Sequence, residues 1–370
     1  MEISDIDKSE NFALAARRGN TRRPYLIVNR LQAKHLPADP DDALQYFHRL
    51  GELVKKSLSS GERVFVIGFA ETATAIGAAV AERLPGAYYC QTTRERLPEE
   101  FLIARFSEEH SHAAAQALFC SLPREEFREF DRIIFVEDEV TTGQTIDNSL
   151  SALLKSKVFK DSIKVSVASL LDGINKSAIN YPVSYFYLDK RTDPNLAEKA
   201  RKYADLPPTP FEPFEPNENP LEIIEIGGRP HPNLGVWAEE YRASCEKLAD
   251  TLKPMCARRE GDMLIIGTEE FMYPALLAGS GVKSRFARVS VQATTRSPIL
   301  PAPLPCPINE ACALSSLYEN GRETFIYNLR KYDEVIILTD SPCEAQGLRD
   351  LHGALGRYGN HRIKIFKWTD

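Results

Sequence analysis

Residues 133–145 read Ile133-Ile134-Phe135-Val136-Glu137-Asp138-Glu139-Val140-Thr141-Thr142-Gly143-Gln144-Thr145, and their reading decides the fold. Four apolar residues predict a buried strand, and Ile146 to Lys155 predicts a helix. Between them lie two acids and a short Thr/Gly turn. A strand, a polar turn and a helix N-terminus together form an anion site, because the first N–H groups of a helix lack internal partners and its dipole favours negative charge. Gly143 lets the backbone close round a phosphate, and the threonine hydroxyls add donors. Acids beside such a cradle repel the phosphate itself, so they suit sugar hydroxyls near a magnesium ion.

Working outward, the first half alternates strands and helices. Strands are expected at Tyr25–Val28, Arg63–Ile67, Tyr88–Gln91, Lys164–Leu171 and Val183–Leu188, and an amphipathic helix over 42–58 with Asp41 as its cap. This pattern predicts an α/β domain with a doubly wound, mostly parallel sheet. Residues 1–23 are read as a loose polar arm. Gly68 to Gly77 is a small-residue turn running into a helix. Lys34 and His35 sit together in a polar loop and are candidates to touch the ligand. Periodicity is lost after Gln91.

Pro207, Pro208, Pro210, Pro213, Pro216 and Pro220 crowd one acidic stretch, which predicts an extended linker at 207–220 between domains at 1–206 and 221–370. The second half echoes the first. Asp262 to Glu270 resembles Glu62 to Glu71, Gln292 to Arg296 resembles Gln91 to Arg94, and Asp333 to Asp340 resembles Asp131 to Asp138. A second, degenerate α/β domain resembling the first is therefore expected. Its copy of the turn, Ser341-Pro342-Cys343-Glu344-Ala345, loses a donor at Pro342 and gains a repelling acid, which predicts that it does not bind a phosphate in the same way.

Composition bounds the function. A chain of 370 residues with 43% apolar content can bury two cores, and a net charge of −6 argues against broad binding to nucleic acid or membrane surfaces. Seven scattered cysteines without a Cys-X-X-Cys pair, a polar N-terminus and no apolar run of membrane length lead to the expectation of a cytoplasmic protein. Neither Gly-X-X-X-X-Gly-Lys-Ser/Thr nor Gly-X-Gly-X-X-Gly occurs, which disfavours NTP and dinucleotide enzymes.

The stretch 133–145 resembles the phosphoribosyl-pyrophosphate (PRPP) signature of type I phosphoribosyltransferases, with every position filled. The resemblance implies that Glu137 and Asp138 hold the ribose hydroxyls and meet Mg2+ mainly through PRPP and water, while Thr141, Thr142, Gly143, Gln144 and Thr145 wrap the 5-phosphate. Phe69, Ala70, Glu71 and Thr72 fall in the place of the diphosphate loop, with Lys34 and His35 as further PRPP contacts. The stretch from Thr92 through Arg105 to His112, between the third strand and the PRPP strand, falls where this family has a mobile flap. Arg94 and Arg105 are its candidate diphosphate ligands, and His110 and His112 its candidate acid–base groups. Thr295-Arg296-Ser297-Pro298 resembles the namesake motif of the TRSP domain, which follows an orotate-phosphoribosyltransferase-like domain in tellurium-resistance-type gene clusters. Thr295, Arg296 and Ser297 are accordingly second-domain candidates. The resemblance implies a Mg-dependent transferase acting on PRPP and a small acceptor in nucleoside-like metabolite biosynthesis, as a homodimer or an intrachain pseudo-dimer. The competing expectation is a PRPP- or nucleotide-sensing regulator without turnover.

Overall fold

The computed structural model describes residues 2–6, 9–19, 23–106, 116–174, 177–204, 209–256 and 260–370. In chain order the strands of its first half are β1 Glu2–Ile3, β2 Phe12–Arg17, β3 Tyr25–Asn29, β4 Val64–Gly68, β5 Tyr88–Gln91, β6 Leu102–Phe106, β7 Gln116–Phe119, β8 Arg132–Val140, β9 Lys164–Asp172 and β10 Ser184–Arg191. Then follow β11 Ile223–Ile226, β12 Val236–Trp237, β13 Asp262–Gly267, β14 Arg288–Ala293, β15 Ile299–Leu300, β16 Ala311–Ser315, β17 Glu323–Tyr327, β18 Glu334–Thr339 and β19 Ile363–Trp368. The helices are α1 Pro40–Lys55, α2 Thr74–Ala81, α3 Gln144–Ser156, α4 Leu196–Ala204, α5 Ala238–Leu252, α6 Tyr273–Val282 and α7 Ala345–Arg357.

The chain forms two compact units that interleave in sequence. Unit 1 comprises Met1–Ser4, Leu44–Thr192 and Pro230–Ser244, and unit 2 comprises Asp5–Ala43, Asp193–Arg229 and Cys245–Asp370. The two expected halves thus correspond to two units only in part, since residues 5–43 belong to unit 2.

Unit 1 holds a seven-stranded sheet in the order β1-β10-β9-β8-β4-β5-β12, parallel except at β12. Val64–Gly68 and Ile133–Val136 are buried throughout, as strands covered on both faces must be. From β4 the chain winds one way through β5, and from β8 the other way through β9 and β10. The strand order therefore switches between β4 and β8, and ligands of such sheets bind beyond the carboxyl ends at that switch. Helix α2 lies close on β4, because a Cβ on Gly77 would stand 2.8 Å from the Gly68 Cα.

Unit 2 repeats the plan with a five-stranded parallel sheet, β11-β19-β18-β13-β14, whose order switches between β13 and β18. Leu264, Ile266, Val335, Ile337, Leu351 and Ile365 belong to its core. The expected loose arm is instead partly strand: Phe12 to Ala16 is buried as β2, between β3 and β15. Residues 209–220 are extended, as their prolines require, but they lie on unit 2. The Glu212 N–H donates to the Ala311 carbonyl, the Asn217 N–H to that of Arg349, and Phe214 and Leu221 pack on the core. The cap of α1 is Asp39, whose carboxylate accepts from the N–H groups of Asp41 and Asp42. Asp41, the expected cap, lies inside the helix and binds Lys283.

Candidate active site

Strand β8 carries Glu137, Asp138 and Glu139 at its carboxyl end, half-buried, beside the end of β4 where Gly68 pairs with Val136. The turn that follows enters α3 through Gly143, which adopts φ +83° and caps the helix. A left-handed residue is required there, and glycine takes it without steric cost. A Cβ would also stand 2.8 Å from Ile179 Cγ1. The Thr142 hydroxyl accepts from the Gln144 N–H at 3.2 Å, and the Thr142 carbonyl accepts from the Ala178 N–H at 2.9 Å. The segment after β9 thus folds back across the turn. Its Asn180 also donates twice to Asp147 in the first turn of α3, occupying an acid that would otherwise oppose an incoming anion.

The turn after β4 is held from below. The Ala70 N–H donates to Thr92 Oγ1 at 2.8 Å, Gln116 Nε2 donates to the Ala70 carbonyl at 2.8 Å, and the Thr92 hydroxyl donates to Gln116 Oε1. The Ala70–Glu71 peptide is cis. Phe69 is buried between Phe135 and Phe106, and its N–H donates to the Val136 carbonyl. Phe69 and the Ala70 N–H therefore shape the loop from inside. Glu71 is buried and Thr72 half-buried. Arg94 follows β5 directly, anchored by the Thr93–Ala117 backbone pair. The stretch expected to be a flap begins as the antiparallel hairpin β6–β7, which carries exposed Arg105 bonded to Glu99. His110 and His112 lie outside the described residues.

One further feature escaped the sequence reading. Arg191 of β10 reaches Glu139 at 3.4 Å, both side chains nearly buried, and it passes where Gly173 has no side chain: a Cβ there would lie 2.4 Å from Arg191 Nη2. Asp189, at the end of the same strand, accepts from the Tyr46 hydroxyl at 3.0 Å. The alternation of β8 places Glu139 on the face of Glu137, but nothing local pointed to Arg191. Asp172 accepts from the Ile174 N–H in its own turn.

Lys34 and His35 belong to unit 2 and are buried there, which corrects their reading as loop residues open to a ligand. Lys34 Nζ donates to the carbonyls of Glu269, at 2.8 Å, and Thr294, at 3.4 Å. His35 lies beside Tyr327, and its carbonyl accepts from Gln292 Nε2.

The hydrogen bonds of unit 2 reproduce those of unit 1 atom for atom around its own switch. Thr92 donates its N–H to Gly68 and accepts from the Ala70 N–H, and Thr294 does the same with Gly267 and Glu269. Thr93 pairs with Ala117 as Thr295 pairs with Phe325, and the Thr93 and Thr295 hydroxyls accept from the N–H groups of Glu95 and Ser297. By these bonds Arg296 is the counterpart of Arg94, and Glu269 that of Ala70. After β18 the two units part. Asp340, the counterpart of Asp138, accepts from the Tyr318 hydroxyl at 2.6 Å and Arg229 Nη1 at 2.8 Å. Burial, and then the Asp340 charge, hold the Tyr318 hydroxyl well above its usual range. Thr339, in the place of Glu137, bonds to Thr268 and Ser341.

Among the described residues no group of three or more His, Cys, Asp or Glu side chains is arranged to hold a metal, and no helix is long and apolar enough to cross a membrane.

Residues 12–183 match the family described as phosphoribosyl transferase, and residues 233–355 match the TRSP domain described as lying C-terminal to it. No curated protein matches the chain. Among solved structures, the adenine phosphoribosyltransferase of Trypanosoma brucei is 12% identical, with a TM-score of 0.34 over 50% of this chain and 80% of that one. That of Rhodothermus marinus is 13% identical, with a TM-score of 0.33 over 49% and 94%. A hypoxanthine phosphoribosyltransferase from Staphylococcus aureus is 14% identical, with a TM-score of 0.28 over 44% and 78%.

Proposed function

We propose, from the premise that this chain belongs to the phosphoribosyl transferase family that carries a C-terminal TRSP domain, that unit 1 transfers a 5-phosphoribosyl group from PRPP to a small acceptor and releases diphosphate. The observation that carries the reading is one juxtaposition. Glu137 and Asp138 end β8 at the switch in strand order, and the next turn passes through left-handed Gly143 into α3. Carboxylates for sugar hydroxyls and a helix start for a phosphate stand within one short segment.

In this reading the bond from the ribose anomeric carbon to diphosphate breaks as the bond to the acceptor forms, and the acceptor gives up a proton. Positive charge grows on the sugar and negative charge on the leaving group. Glu137 and Asp138 orient the ribose and face its developing charge. Thr141 to Thr145 fix the 5-phosphate, and the loop after β4, with Arg94 and Arg105, receives the diphosphate. The donor set suits magnesium, which keeps several waters and takes one or two carboxylates plus substrate phosphates; when bound, it neutralises charge on the departing diphosphate. A role for unit 1 in making a nucleoside-like metabolite, a cytoplasmic location and a homodimer belong to the same reading.

The test is calorimetric titration with PRPP and magnesium of the wild type and of Asp138→Asn. Binding that the variant loses supports the donor site, and diphosphate release in an acceptor screen then identifies the acceptor. Binding without turnover for any acceptor favours the sensor. Equal affinity in the two proteins overturns the site.

A further inference from the structure

Unit 2 keeps the arginine of its copied site but supplies its own anion. Glu269 stands where unit 1 has Ala70, at φ +47° and with 2% of its surface exposed. Its backbone is clamped on two sides. The N–H donates to Thr294 Oγ1, and the carbonyl accepts from Lys34 Nζ, which is fully buried. Its carboxylate lies 3.4 Å from Arg296 Nε and 3.5 Å from Arg322 Nη2, and it accepts a short hydrogen bond from the Ser316 hydroxyl. Ser316 is itself placed by the Arg322 Nε and Tyr318 N–H donors. Two other acids face these arginines: Glu270 at 2.9 Å from Arg296 Nη2, and exposed Glu319 at 3.5 Å from Arg322 Nη1. They take the far nitrogens and leave the Arg296 Nε edge, Arg322 Nη2 and Ser316 converging on Glu269.

A left-handed backbone at a residue other than glycine is strained and persists where the surroundings enforce it. Here they drive a carboxylate into a buried fork of two guanidiniums and a hydroxyl, the donor set that recognises carboxylate or phosphoryl oxygens. We propose that Arg296, Arg322 and Ser316 form a second anion site, of the class that takes diphosphate, and that the Glu269 carboxylate is its built-in occupant. Unit 2 thereby retains the geometry of an anion site while its own chain excludes the ligand. The inference rests on the proposed function only for its choice of diphosphate as probe.

The experiment counts diphosphate equivalents bound by the full chain, by calorimetry without magnesium. Glu269→Ala installs the residue that unit 1 has at this place and removes both the charge and the bulk from the fork. It should bind one equivalent more than the wild type, and Glu269→Ala with Arg296→Met should lose that extra equivalent. The difference is the same whether unit 1 binds one equivalent or none, so failure of the proposed function and failure of this inference are read separately. A folded Glu269→Ala with no extra equivalent overturns the inference. Where the substitution destabilises the chain, diphosphate should raise the melting temperature of Glu269→Ala by several degrees more than that of the wild type, because a ligand held only by the folded state stabilises it. An equal rise in both overturns it too.

Discussion

The turns after β8 and β18 leave the same place in their sheets, and each meets a left-handed residue before its helix, Gly143 at +83° and Cys343 at +64°. Beyond that they differ in where their acids spend their hydrogen bonds. Asp340 is tied to Tyr318 and Arg229, and Thr339 to Thr268 and Ser341. The polar groups of unit 2 thus satisfy one another. In unit 1 the outermost acid, Glu139, is tied to Arg191, while the segment after β9 braces the turn through its backbone. In the proposed reading one scaffold presents a ligand site in unit 1 and closes it in unit 2.

The sharpest break in this comparison is to make the same change twice. Asp138→Asn should weaken PRPP binding at least tenfold, about 1.4 kcal/mol, with the melting temperature nearly unchanged. Asp340→Asn should leave PRPP binding intact and cost about 1–3 kcal/mol of stability, since Tyr318 and Arg229 lose their charged partner. Calorimetry and denaturant unfolding read the two effects. Equal behaviour of the pair would dissolve the distinction.

Next come the left-handed positions. Gly143→Val should abolish PRPP binding and cost about 2–3 kcal/mol, because a branched side chain resists φ +83° and meets Ile179. Cys343→Gly should instead stabilise the chain by up to about 1 kcal/mol, by relieving the left-handed strain. Urea unfolding of both variants checks the opposite signs.

Lys34→Met tests the other correction. It should cost about 1–3 kcal/mol, as two buried carbonyls lose their donor, and leave PRPP affinity within twofold. A fall in affinity at unchanged stability would restore Lys34 as a ligand.

The smallest effect lies at the amino ends of the strands. The Arg288 guanidinium bonded to Asp262, joined by Arg330, holds its carboxyl below the usual range. A depressed folded value means that the contribution is present above the unfolded value near 3.8 and is lost as pH falls through the folded one. Asp262→Asn should therefore lower the melting temperature slightly at pH 7 and by less at pH 2. A loss of equal size at both values would exclude the ion pair as its source.

What the sequence made legible follows from distance along the chain. The strand, acids and turn of 133–145 act within one short stretch, so periodicity and residue type were enough. The repeat was visible because matching hydrogen bonds use matching residues, Thr92 with Thr294 and Thr93 with Thr295. Strand β2 was missed because part of its support is β15, from the far half of the chain, and its flanks are polar. Lys34 was misread for a related reason: a lysine buried against carbonyls looks like an exposed one until the residues that bury it are known. The prolines of 209–220 correctly excluded helix and central strand, but extended backbone is compatible both with a free linker and with a segment laid on a core.

The interleaving of the two units has a consequence for how the protein is made. Strands β2 and β3 leave the ribosome while β15 and the parallel sheet of their unit are still untranslated. Unit 1 in turn waits for β12 to cover the edge of β5. Neither unit can close during synthesis of the first half, so strand edges that later segments cover stay unpaired until late in translation. For the same reason, a fragment ending near residue 206 is an incomplete unit 1 joined to strands that belong elsewhere.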